Sequence, residues 1–166
     1  MSTLHVENLK GLSSGGNANK IIVPSGQTLT APGHVIQVVN GFRTTTSSNN
    51  SASYADSGLA VTITPKFASS KILITANIMA VENNTAIEGT NLKLVRGSTD
   101  LSEWGRYLGY TRTYMNSSPS FSFLDSPATT SATTYKIQFK RSQGSGISYV
   151  STNNSTSSMV LMEIAQ

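Results

Sequence analysis

Cysteine is absent from the 166 residues, which excludes a disulfide framework, a thiolate metal site and a cysteine nucleophile. Charge is sparse, with Asp, Glu, Lys and Arg together only 12% of the chain. Histidine occurs twice, as His5 and His34, far apart in sequence, whereas a metal site needs several convergent ligands. No metal and no cofactor are expected, and His34 reads as a strand-start residue facing solvent or a symmetry mate. Long hydrophobic runs are missing too. None approaches the ~20 residues that cross a bilayer, so membrane insertion is not expected. The opening "MSTLHVENLKGLSSGG" lacks a basic region followed by an apolar one, so a Sec-type signal is not expected either.

The net charge of +4 and a pI near 9.5 raise the question of nucleic acid. The basic residues, however, are scattered from Lys10 to Arg141, the densest pair being Lys140 and Arg141. A nucleic-acid footprint needs them clustered on one face, and no nucleic-acid partner is expected. Catalytic patterns are equally thin. No G-x-S-x-G elbow accompanies the serines, and Glu82, Glu88, Asp100, Glu103 and Asp125 form no sequence pair of the kind glycoside hydrolysis uses. The chain therefore reads as a non-enzyme.

What the chain has in abundance is Ser, Thr and Asn, 59 of its 166 residues, beside an apolar fraction of 37%. These side chains offer the backbone competing hydrogen bonds and disfavour helix, while Thr suits a half-exposed strand. The fold class is all-β. Asn49, Asn83, Asn116, Asn153 and Asn154 each begin an N-x-S/T triplet, which such a composition produces by chance; they read as loop markers.

Two regions differ in pattern. Residues 1–33 hold a short strand-like "TLHVENL", a Gly/Ser/Asn joint, and "KIIVPSGQTLTAPG", broken by Pro24-Ser25-Gly26 and Pro32-Gly33. Such a segment cannot bury its own apolar residues. It reads as an attachment arm or shaft, with Leu4, Val6, Leu9, Ile21, Ile22 and Val23 as the candidate attachment residues. Residues 34–166 carry regularly spaced strand patterns. "HVIQVVNGF" leads into the polar run "RTTTSSNNSA", read as a loop, and "SGLAVTITP" places Leu59, Val61 and Ile63 on one face. "SSKILITANIMAV" is apolar in both registers and reads as a central strand covered on both faces over part of its length.

"GTNLKLVRGST" and "PSFSFLDSPA" follow, and "TTYKIQFKRS" gives the cleanest alternation, Tyr135, Ile137 and Phe139 inward. "GISYVST" is expected to pair back on it through "RSQGSG", and "SSMVLMEIA" closes the chain as a second central strand. About eight strands joined by Ser/Asn/Gly loops predict a jelly-roll-like β-sandwich head behind the short extended arm.

Between those strands "EWGRYLGYTRTYM" (103–115) holds the only Trp and three of the six Tyr. Gly105 and Gly109 interrupt it, so much of it is expected to be a long inter-strand excursion. Trp, Tyr and Arg dominate binding hot spots, which makes Trp104, Arg106, Tyr107, Tyr110, Arg112 and Tyr114 candidates for partner or receptor contact. Core or interface filling is the competing reading for the aromatics. The polar loops at 43–53 and 151–158 are the next receptor candidates.

"APGHVIQVV", "YADSGLAVTITPKFASSKILI", "LKLVRGSTDL", "FLDSPATTSATTYKIQFK" and "MVLMEI" resemble a family of tail-fibre and appendage proteins of marine bacteriophages, notably those of cyanobacteria. The resemblance covers residues 32–166. It implies a trimeric jelly-roll head on the virion surface, assembled in the bacterial host cytoplasm. The implied partners are itself, other virion proteins through the arm, and a host surface polysaccharide or protein. A capsid decoration or head-fibre protein is the alternative, since barely thirty residues precede the head where such fibres usually carry a longer anchor.

Overall fold

The computed structural model describes residues 10, 11, 13–16, 18, 20–25, 27–29, 31–84, 89–108 and 116–166, the side chains of 105–107 excepted. The chain divides into two units, Met1–Thr30 and Ala31–Gln166. In the first, the described residues carry no strand or helix, and Ile21, Ile22 and Val23 are about half exposed.

The described residues of the second unit form eleven strands: β1 Val35–Arg43, β2 Ser47–Asn49, β3 Ala55–Ile63, β4 Lys71–Asn77, β5 Glu82–Asn83, β6 Thr90–Arg96, β7 Thr99–Leu108, β8 Ser120–Asp125, β9 Thr133–Arg141, β10 Ser148–Val150 and β11 Ser157–Ile164. They form two four-stranded antiparallel sheets, ordered β1-β11-β4-β8 and β3-β9-β6-β7, and a small sheet β2-β10-β5. Counting only the eight long strands in chain order, the first sheet runs first, eighth, third, sixth and the second runs second, seventh, fourth, fifth. That interleaving is the two-Greek-key winding of a jelly roll, so the sandwich predicted from strand spacing is the one observed.

Alternation builds the core. Leu59, Val61 and Ile63 of β3, Leu92 and Leu94 of β6 and Tyr135, Ile137 and Phe139 of β9 face Ile72, Ile74 and Ala76 of β4 and Met159 and Leu161 of β11, all of them buried. Each large aliphatic side chain so placed contributes about 1.5–3 kcal/mol relative to exposure. Two glycines let the sheets approach. A Cβ on Gly41 of β1 would lie 2.7 Å from Val61 Cγ2. Gly58 adopts φ +82 where the β3–β9 register shifts, with Arg43 packed over its α-carbon; only glycine takes that conformation without strain.

Across the sandwich, Asp125 of β8 accepts 2.7 Å hydrogen bonds from Arg96 Nη1 of β6 and from the Tyr135 hydroxyl of β9. This clasp joins the two sheets. At one end Asn83 Oδ1 accepts from Thr90 and Ser148, and Asn49 Nδ2 donates to the carbonyls of Ser53 and Phe139.

Several sequence expectations need correction. The polar run after β1 is not wholly loop: Ser47–Asn49 is a strand. The segment at 148–150 pairs with β2 and β5, not with β9. Asn49 and Asn83, read as loop markers, are buried strand residues. Trp104, Arg106 and Tyr107 belong to strand β7, not to a loop excursion. β4 and β11 are central in their sheet as expected, but their outward side chains, including Leu73, Val160 and Met162, are only half-buried.

Candidate functional site

Because strands alternate, each sheet has one face in the core and one outside, and these two outer faces are the candidate interaction surfaces of the head. They differ in chemistry.

The outer face of β3-β9-β6-β7 carries ions. Lys136 Nζ pairs with Asp56 at 2.9 Å and Gln138 Nε2 donates to the same carboxylate at 2.7 Å. Burial pushes the Asp56 carboxyl up, but these hydrogen bonds and the Lys136 charge outweigh it and hold the group below its ordinary value. The Tyr54 ring has two ammonium groups within reach, Lys93 Nζ at 4.2 Å and Lys140 Nζ at 4.6 Å from its centroid, and its hydroxyl donates to Glu103. Lys93 also pairs with Asp100 at 2.9 Å. The result is a surface of paired charges with a shallow depression beside Tyr54. At exposed sites such pairs contribute little stability.

The outer face of β1-β11-β4-β8 is built from apolar and hydroxyl side chains. Its register places Val38 opposite Met162, Met162 opposite Leu73 and Leu73 opposite Leu124, one apolar row across all four strands. The next row reads Asn40, Val160, Thr75 and Ser122, and the third Phe42, Ser158, Asn77 and Ser120. Between the last two rows lies an open depression of about 400 Å³, lined mainly by the Ser, Thr and Asn side chains and Val160.

The aromatic segment divides. Trp104 is buried, stacked on Phe121 with ring centroids 5.0 Å apart and tilted against Phe123 at 6.5 Å; within this chain it is a core residue. Arg106 and Tyr107 lie in β7, and Tyr110, Arg112 and Tyr114 lie outside the described residues. Leu4, Val6 and Leu9 of the arm also lie outside them, and Ile21, Ile22 and Val23 are exposed. His34 is exposed just before β1. Sequence reasoning missed the row Val38–Met162–Leu73–Leu124. Its signal was the double-register apolarity of "KILITAN" and "SSMVLMEI", which reads equally as burial on both faces.

The carboxylates inside the unit are occupied. Glu82 accepts from Thr152 Oγ1 and from Asn116 Nδ2, Asp125 closes the clasp described above, and Glu163 accepts from the backbone N–H groups of Lys66 and Phe67 and from Gln37. Among the described residues no group of three His, Asp or Glu side chains could hold a metal ion, and no helix is long and apolar enough to cross a membrane.

No protein family matches the chain, and no curated protein matches its sequence. Solved structures similar to it include a chain of infectious bursal disease virus, Gx strain, at 15% identity and TM-score 0.39, covering 79% of this chain and 33% of the viral one. A chain of the Gt strain of the same virus is similar at 11% identity and TM-score 0.37, covering 99% of this chain and 47% of the other. The chain thus spans a third to a half of the viral chains it resembles.

Proposed function

We propose that the chain is a non-enzymatic structural protein of a bacteriophage particle. In this reading it is a homotrimeric fibre or knob whose jelly-roll head, Ala31–Gln166, is displayed on the virion surface and contacts the host. Residues 1–30 serve as the arm that docks on another virion protein, with Leu4, Val6, Leu9 and Ile21–Val23 as the docking side chains. Arg106, Tyr107, Tyr110, Arg112 and Tyr114 are the proposed contacts to a host polysaccharide or protein.

The observation that carries the reading is a jelly roll in which the buried carboxylates among the described residues, Glu82, Asp125 and Glu163, are engaged in hydrogen bonds that hold its segments together, leaving broad outer faces as its functional surfaces. The resemblance of residues 32–166 to phage appendage proteins supports it. A fold alone does not assign a role, so the test is made on particles. Quantitative mass spectrometry of purified virions of the encoding phage should detect the chain, and deletion of residues 1–30 should abolish its incorporation. Copies in a small set of threes identify a fibre, whereas numbers that follow capsid symmetry identify a capsid decoration, the alternative. Absence from the particle overturns both.

A further inference from the structure

We infer that the outer face of the β1-β11-β4-β8 sheet is where copies of this chain meet, each covering the apolar row Val38–Met162–Leu73–Leu124 of another. The number of copies, three, rests on the reading proposed above; the identity of the face does not.

Three observations converge on it. First, among the described residues of Ala31–Gln166, three of the five exposed large apolar side chains lie here, Val38 at 57%, Phe42 at 64% and Leu124 at 50% exposure, the other two being Val35 and Phe67, and the register places the three on one surface. A continuous apolar row on a sheet face marks an interface, whereas apolar residues scattered singly do not.

Second, the charge distribution selects the occupant. Of the outward side chains on these four strands only Lys71, at the end of β4, is ionic, while the opposite sheet face carries Asp56, Lys93, Asp100, Glu103, Lys136 and Lys140. A polyanion finds too few cations here, and the opposite sheet of a neighbour would lose the hydration of its ions without gaining partners for them. The same face on neighbouring copies is complementary: apolar rows converge on one another about the symmetry axis, flanked by Ser, Thr and Asn side chains able to bond across the seam.

Third, the area is of the right order. Four strands spaced ~4.8 Å apart and about seven residues long at ~3.3 Å each give a footprint of roughly 450 Å². Two copies then bury on the order of 900 Å², close to the ~1,000 Å² that a specific interface needs, with the ends of β1 and β11 adding to it.

The lack of cysteine gives a clean assay in the full-length protein. Single-cysteine variants Val38→Cys and Leu124→Cys should react with a maleimide at least tenfold more slowly at 20 µM than after dilution to nanomolar concentration. Ala60→Cys, on the exposed outer face of β3, should react at one rate throughout. In parallel, sedimentation should give about three times 17.6 kDa for the wild type and for Ala60→Lys, and the monomer mass for Val38→Lys/Leu124→Lys. If the double variant does not fold, Phe42→Ser serves in its place. An assembled protein in which the thiols of Val38→Cys and Leu124→Cys react freely overturns the inference. So does a double variant that keeps the wild-type mass. A monomer whose Leu124→Cys thiol stays protected also overturns it, since the cover is then supplied within a single chain. A face-dependent assembly that never enters the virion leaves the inference standing and removes the proposed function.

Discussion

Glu163 is fully buried in β11, yet its ionised form is the one the fold selects. Its Oε1 accepts from the backbone N–H of Lys66 at 2.8 Å and of Phe67 at 3.2 Å, and its Oε2 accepts from Gln37 Nε2 at 2.5 Å. One carboxylate thereby fastens the β3–β4 connection to the last strand and to β1. Burial pushes this carboxyl up, but the Gln37 and Ser70 side chains and the two backbone donors outweigh it and hold it below its ordinary value of 4.5. Glu163→Ala leaves three donors without their acceptor, each worth roughly 1–3 kcal/mol where water cannot replace it. Since Lys66 and Phe67 are themselves exposed, the lower end applies, and the loss should total about 3 kcal/mol. Glu163→Gln keeps one carbonyl oxygen for the backbone donors but opposes an amide to Gln37, and should cost about 1–1.5 kcal/mol, or roughly 3–6 °C in Tm for a unit of this size. A folded-state value below the unfolded one means stability present above pH 4.5 and lost as pH falls through the folded value. The gap between wild type and Glu163→Gln should therefore close on acidification. Urea unfolding of both proteins at about pH 7, 5 and 3.5, at one protein concentration because association contributes, measures it. A gap that stays unchanged across that acid range refutes the account of Glu163 as an anionic fastener.

Trp104→Ala removes the stack on Phe121 and the contact with Phe123 and should lower stability by about 3–5 kcal/mol, seen as a drop in Tm; an unchanged Tm would return Trp104 to the contact surface. Tyr135→Phe, which deletes the bond to Asp125, should cost about 1–2 kcal/mol near neutral pH in denaturant titration. Burial, then the hydrogen bond and charge of Asp125, push the Tyr135 hydroxyl well above its ordinary value of 10.0. Its contribution is therefore full below about pH 10 and falls as pH rises beyond it, so the variant should lose stability less steeply than wild type between about pH 9 and 11.

Much of the sandwich was legible because burial on one face leaves a period of two. Tyr135, Ile137 and Phe139 alternate with Lys136, Gln138 and Lys140, and the structure buries the first set and turns the second outward. What escaped has identifiable causes. β2 is Ser-Ser-Asn, with no apolar period to read; it is held by side chains, Asn49 to the carbonyls of Ser53 and Phe139 and Ser47 to the carbonyl of Ser57. Residues 103–108 of β7 fall in the segment expected to hold a long excursion because Gly105 breaks its pattern, and the pairing of β7 with β6 carries two register shifts, which displace the alternation that a strand normally shows. β10 was assigned to the wrong neighbour because short chain separation favours a hairpin with β9, whereas Tyr149 lies opposite Ser48 and Glu82, contacts no local pattern encodes.

The candidate interface was present in the sequence in a form that only the register could resolve. β9 and β11 both place apolar side chains in the core, and they differ in the residues between: Lys136, Gln138 and Lys140 on β9 against Val160, Met162 and Ile164 on β11. A strand that needs only its core face covered gains nothing from the second apolar set, which in a lone sandwich would raise its tendency to aggregate. From sequence this pattern reads as a strand buried on both sides. The fold supplies one of those sides, the opposing sheet, and leaves the other bare, with Val38 and Leu124 continuing the row on the neighbouring strands. The second side must then come from outside this chain's head, and the nearly uncharged surface repeated on every copy is the partner that meets that need.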